Sequence, residues 1–140
     1  MGDSRIRHEI QAQIAMVLAL AYMSLIWWLS SQARPPMMPV LPFPHADKLI
    51  HLVEYGILSM LLCHALGTGA RGAGRVRAVF FAVLLAAHYG VIDELHQSYV
   101  PNRWCSAGDM VADTAGAILA ALVWWRWRRE RASPPPEEQT

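Results

Sequence analysis

Four stretches of the chain are predominantly apolar: Ile14 to Leu29, Leu49 to Leu66, Ala78 to Ile92 and Met110 to Trp125. A helix needs about 20 residues to cross the hydrocarbon core of a bilayer, within a range of about 17–25. The first and third stretches are short of that and must borrow polar flanks. For the third the flank is Asp93-Glu94-Leu95-His96, which draws charge towards the membrane. Small residues recur at four-residue spacing in the later stretches: Ala78, Ala82, Ala86 and Gly90, then Ala112, Gly116 and Ala120. Rows of that kind let helix backbones approach closely in lipid, so they read as packing surfaces. The pattern predicts an all-α fold, an integral membrane four-helix bundle.

Charge fixes the expected orientation. Arg5, Arg7, Arg71, Arg75, Arg77, Arg126, Arg128, Arg129 and Arg131 fall at one end of such a bundle, and only Arg34, Lys48 and Arg103 at the other. By the positive-inside rule both N and C termini are cytoplasmic, which points to a multi-pass protein of the cell inner (cytoplasmic) membrane. Trp27, Trp28 and Trp104 then mark the outer interface, and Trp124, Trp125 and Trp127 the inner one. Arg5, Arg7, the apolar run and Ser31-Gln32-Ala33 also resemble a cleavable signal peptide. The run is long for that, and two tryptophans precede the site, so it reads as a span.

With 140 residues, the chain has little room for a soluble domain beside four spans. Charged residues make up 16%, well under the roughly 25% of soluble domains. A net charge of +1 and the lack of a basic stripe argue against a nucleic-acid partner. Cys63 and Cys105 fall at different depths, so a disulfide within one chain is not expected. The stretch from Pro35 to Pro44 holds five prolines and reads as an extended, semi-rigid strap. The expected domain is 10–126, followed at 127–140 by a basic, then proline-rich and acidic, disordered cytoplasmic tail.

Polar residues inside the spans are the informative ones. Asp47, His51 and Glu54 fall at i, i+4 and i+7 and share a helix face. Asp93, Glu94, His96 and Gln97 close the third stretch, Asn102 and Arg103 follow in the loop, and Asp109 and Asp113 open the fourth. All map to the outer half of the membrane. Ionisable groups there cost at least a few kcal/mol each on insertion scales, so they face a cavity or one another. The simplest arrangement is a polar pocket open to the outside, lined by helices 2, 3 and 4. Bland readings stand beside it. Ser106 to Asp109 has capping-box spacing. Arg103 could pair with Asp109 or Glu94, and His51 and Glu54 could be interhelical glue. His64, His88 and Tyr89 read as packing or hydrogen-bonding residues within the bundle, and Lys48 as an interfacial snorkel.

These same residues resemble the VanZ-like membrane family. Asp47-Lys48-Leu49-Ile50-His51, followed by an acid and an aromatic, is similar to its D-K-x-x-H motif. Asp93-Glu94-Leu95-His96-Gln97, then Arg103, Asp109 and Gly116, is similar to its D-E-x-x-Q segment, arginine and aspartate opening the last helix. The likeness covers about residues 10 to 126. Asp113 departs from it, standing where many members have Asn. The resemblance implies a four-helix membrane protein without a settled biochemical activity. Its named member is associated with resistance to the glycopeptide teicoplanin, which is not thereby this chain's native function.

Three functions compete. The pocket could bind or modify the headgroup of a membrane lipid or a lipid-linked wall precursor, with an effect on glycopeptide susceptibility. The binding set would be Asp47, His51, Glu54, Asp93, Glu94, Gln97, Arg103, Asp109 and Asp113, with Arg103 and Lys48 on phosphate. An enzyme could instead use a metal held by His51, Glu54, Asp93, Glu94, His96 or Asp109, or two carboxylates as acid and base. A small transporter would need proton-relaying acids, and a homodimer for want of inverted repeats. Whether the chain is catalytic, and which cofactor or metal it takes, stay open at this stage.

Overall fold

A computed structural model describes residues 2–33 and 46–131. The expected strap at 35–44, Arg34 and the tail from 133 onward lie outside the described residues. Four helices follow one another: α1 (Gly2–Ser30), α2 (Ala46–Gly67), α3 (Ala73–Gln97) and α4 (Ala107–Glu130). Each is long and apolar enough to cross a membrane. The short first and third stretches do borrow their flanks: α1 runs from Gly2, and α3 carries Asp93 to Gln97 in its last turns. α4 continues past 126 to Glu130.

The helix ends follow from local chemistry. After Gly67, Thr68 donates its hydroxyl to the His64 carbonyl at 2.6 Å, and Gly69 takes φ +81°, which a side chain would resist. The α3–α4 loop turns at Asn102, with φ +63°, in the left-handed region that Asn tolerates. Ser106 caps α4, its hydroxyl accepting from the Asp109 backbone N–H at 3.3 Å.

Helix α2 packs against all three others, most extensively α4, while α1 leans on α2 and touches no part of α4 among the described residues. The core is built of small and aromatic residues: Ala19, Ala82, Ala86, Ala117 and Ala121 around Tyr55, Leu58, Leu62 and Trp124. Large apolar side chains such as Val17, Phe80, Phe81, Leu119 and Val123 are exposed, as a lipid-facing surface requires. The small-residue rows are buried except at the half-buried Ala120, and the tightest approach is at Gly116. A Cβ there would strike the main-chain carbonyl of Leu52 on α2. Across the same contact Gly56 is looser, with its added Cβ 3.4 Å from the Gly116 carbonyl oxygen.

Two sequence readings change. Trp124 is not an interfacial belt residue: at 1% exposure it is core, its ring lying where a Cβ on Gly67 would sit. His88, expected to bond within the bundle, is exposed on α3. The other two packing assignments hold. His64 bonds the Met60 carbonyl and lies edge-on to Trp124, and Tyr89 donates to the Met23 carbonyl at 2.7 Å. Cys63 is buried, Cys105 exposed, and both are free thiols.

Candidate functional site

The alternating up-and-down path places the end of α1, the start of α2, the end of α3 and the start of α4 at one end of the bundle. The polar residues of the spans gather there in two groups, on either side of the consecutive acids Asp93 and Glu94. Neighbouring positions on a helix point about 100° apart, so one acid can serve each side.

Glu94 turns towards α2 and α4. Its Oε2 accepts from the Ser106 backbone N–H at 2.6 Å, and its Oε1 lies 4.0 Å from His51 Nδ1. His51 Nδ1 is bonded to Asp113 Oδ1 at 2.9 Å. Asp113 fits because its neighbour on α3 is Gly90, where a Cβ would come within 2.7 Å of Asp113 Oδ2. At the rim, Lys48 donates to Asp109 Oδ1 at 2.8 Å and Asp47 Oδ2 at 3.2 Å. Its stem lies over Gly108 in the first turn of α4.

Asp93 turns towards α1. Its Oδ2 accepts from Ser30 Oγ at 2.8 Å and Gln97 Nε2 at 2.8 Å. Arg103 closes this side, donating to Gln97 Oε1 at 3.3 Å and to the Leu29 and Gln32 carbonyls at 3.4 Å each. His96 faces outward, its ring stacked on Trp27 at 3.8 Å and bonded to Ser31 Oγ at 2.9 Å.

Burial is deep. Asp93, Glu94 and Asp113 are at most 1% exposed, and His51 and Asp109 are both 8% exposed. One oxygen of each of the three acids, Asp93 Oδ1, Glu94 Oε1 and Asp113 Oδ2, has no hydrogen-bond partner among the described residues, and neither does the Tyr55 hydroxyl. A buried oxygen that forgoes a hydrogen bond costs about 1–3 kcal/mol, more if charged. Glu54 is half-buried, and its carboxylate makes no hydrogen bond or ion pair among the described residues. It feels His51, Asp93, Asp113 and Arg103 only through space. Beneath this layer the core turns apolar, through Leu58, Leu62, Ala117 and Ala121 down to Trp124.

The expected set of nine residues is therefore present at one end, but three expectations about it and its neighbours Lys48 and His96 change. Arg103 pairs with neither Asp109 nor Glu94; its partners are an amide and two carbonyls. Lys48 is not a snorkelling cation, because two carboxylates hold its ammonium. His96 and Asp93 stand apart from His51, Glu94 and Asp109 as metal donors, since both bond to the end of α1. The capping-box reading of Ser106 and Asp109 is half met: the serine caps, but Glu94 of α3, not Asp109, takes the Ser106 N–H.

Sequence reasoning missed Ser30, Tyr55 and the second task of Gly90. Tyr55 could have been found, because it follows His51 by four residues and so lies on the same face. Ser30 had no such signal, since an uncharged residue at a helix end is unremarkable until its partner is known. Gly90 looked complete as a packing residue.

A family model described as VanZ/LLP1 matches residues 5–128. No curated protein and no solved structure matches the chain.

Proposed function

The chain belongs to the VanZ/LLP1 family, and on that premise we propose that its polar end binds the headgroup of an envelope lipid or a lipid-linked wall precursor. The reading sets the polar end on the outer face of the inner membrane, with the arginine-rich end in the cytoplasm. Membrane lipids are the first partner class, and an effect on glycopeptide susceptibility is the expected phenotype.

The observation that carries this reading is Glu54. It lies about two turns into α2, beyond the reach of a helix-cap role, and its carboxylate is left without a partner among the described residues. Carboxylates inside a membrane normally find one another, a cation or a donor. The surrounding charge favours the same chemistry. Asp47, Glu54, Asp93, Glu94, Asp109 and Asp113 outnumber the three basic groups beside them, and each of these, Lys48, Arg103 and the His51 imidazole, is already engaged. The site is thus short of donors and positive charge, and it suits the hydroxyl and amine groups of a headgroup. Phosphate recognition by Lys48 and Arg103 is correspondingly set aside. The apolar core below Tyr55 favours a site entered from one end over a path through the bundle.

Glu54→Gln is the test. It keeps the shape and one accepting oxygen but removes the charge. The expected outcome is an intact fold, with thermal stability in detergent equal to or above the parent, together with loss of the copurifying headgroup lipid and of the envelope phenotype. A Glu54→Gln protein that retains both lipid and phenotype would refute the charge-based site.

A further inference from the structure

The cluster on the α2–α3–α4 side has a geometry that hydrogen bonding leaves unfinished. One ligand atom from each of His51, Glu94 and Asp109 lies within 4.8 Å of the others, and all three side chains are buried. Asp113 adjoins them through Oδ1, 2.9 Å from His51 Nδ1. Two oxygens, Glu94 Oε1 and Asp113 Oδ2, end inside the protein without a hydrogen-bond partner among the described residues, on residues 0% exposed. Beyond the His51 imidazole, which is bonded to Asp113 and lies 4.0 Å from Glu94 Oε1, no cation among the described residues reaches them: Lys48 holds Asp109 and Asp47, and Arg103 is bonded on the α1 side.

From these residues we infer that the chain holds one divalent cation between α2, α3 and α4, bound by the His51, Glu94 and Asp109 set, with Asp113, which holds His51 Nδ1 at 2.9 Å, drawn in as a fourth ligand. The distances suit an ion. In octahedral coordination, ligands about 2.1 Å from a metal stand about 3.0 Å apart when adjacent and about 4.2 Å apart when opposite. The pair His51 Nδ1 to Asp113 Oδ1 is 2.9 Å and the pair His51 Nδ1 to Glu94 Oε1 is 4.0 Å. The ion takes the place of the proton shared by His51 and Asp113, so binding releases that proton. It also gives Glu94 Oε1 a partner and offsets the excess of buried acid. One imidazole with carboxylate oxygens is a borderline donor set, which favours Zn²⁺ or Mn²⁺ over Ca²⁺.

The remaining parts of the site support this placement. The Ser106 N–H holds Glu94 by Oε2, leaving Oε1 to turn inward. Gly90 leaves the room that Asp113 occupies. Lys48 holds Asp109 by Oδ1 and is about a third exposed, so it can stay beside the ion or withdraw to solvent.

An ion here requires no headgroup, and a headgroup requires no ion, so the two proposals are separable. The full chain is purified in mild detergent, stripped with chelator, dialysed against Zn²⁺ or Mn²⁺ and assayed for metal by mass spectrometry. The expected content is about one ion per chain, and adding the metal to stripped protein should raise the melting temperature by roughly 5 °C or more. Glu94→Gln and Asp113→Asn should each lower metal retention at least about tenfold. Glu54→Gln should keep the ion, which separates its loss from loss of the headgroup. Should a cluster variant fail to fold, the wild-type content still decides. Under about a tenth of an ion per wild-type chain, or metal retained unchanged in a folded Glu94→Gln protein, overturns the site.

Discussion

Replacing Gly116 with alanine tests how tightly α2 and α4 are locked. In a helix interior the change normally stabilises by about 1 kcal/mol, because alanine has less backbone freedom to lose. Here the new methyl group would collide with the Leu52 main-chain carbonyl on α2. A flexible side chain could swing aside, but a carbonyl fixed in a helix can move only if the two helices part. Overpacking of this kind costs about 1–3 kcal/mol and occasionally more. With a backbone obstacle the upper end applies, so the expected net loss is about 2 kcal/mol, or a fall of roughly 5–10 °C in melting temperature. Gly56→Ala is the matched control from the other side of the same contact. Its Cβ would lie 3.4 Å from the Gly116 carbonyl oxygen, at ordinary contact distance, so the propensity gain should cancel most of any cost. Thermal unfolding of the three proteins in one detergent measures both differences. A Gly116→Ala protein as stable as the parent, or a Gly56→Ala protein that loses as much as Gly116→Ala, would refute the close approach.

Two further outcomes are expected. Trp124→Ala should destabilise by about 3–5 kcal/mol, since it empties a fully buried site, whereas Trp127→Ala on the more open side of α4 should cost under about 1 kcal/mol; equal melting temperatures for the two would return Trp124 to the interface. Reporter fusions at residue 100 should score outside and at residue 72 inside, as the clustering of nine arginines at one end requires; a cytoplasmic signal at residue 100 would invert the bundle and remove the outward site.

Much of the fold is legible in the chain because membrane helices announce themselves by length and lack of charge. All four stretches become helices, and the rows Ala78 to Gly90 and Ala112 to Gly116 are buried as read. The polar layer is legible for a related reason: charges such as Asp93 and Asp113 are too costly in lipid to be incidental. Partner choice is not legible, since it depends on helix rotation and on neighbours far apart in sequence. Lys48 meets Asp109, 61 positions away, and Asp93 meets Ser30, 63 positions away. Periodicity within one helix says nothing of such pairs. Trp124 misleads for the opposite reason. Beside Trp125 and Trp127 it looks like part of a belt, but neighbouring residues on a helix face different ways, and Trp124 faces inward.

The bond from the Ser106 backbone N–H to Glu94 has a consequence for how the protein is made. A helix normally finishes its own first turn with residues of its own segment. The last helix of this bundle is finished partly by a carboxylate of the helix before it, across the loop of residues 98–106. During synthesis, α4 therefore lacks its complete beginning until α3 stands beside it. The buried carboxylate of α3 is likewise unsatisfied until α4 arrives. The two helices thus form a hairpin whose arms complete one another, the Ser106 N–H and the Glu94 carboxylate each lacking that partner until the arms lie side by side.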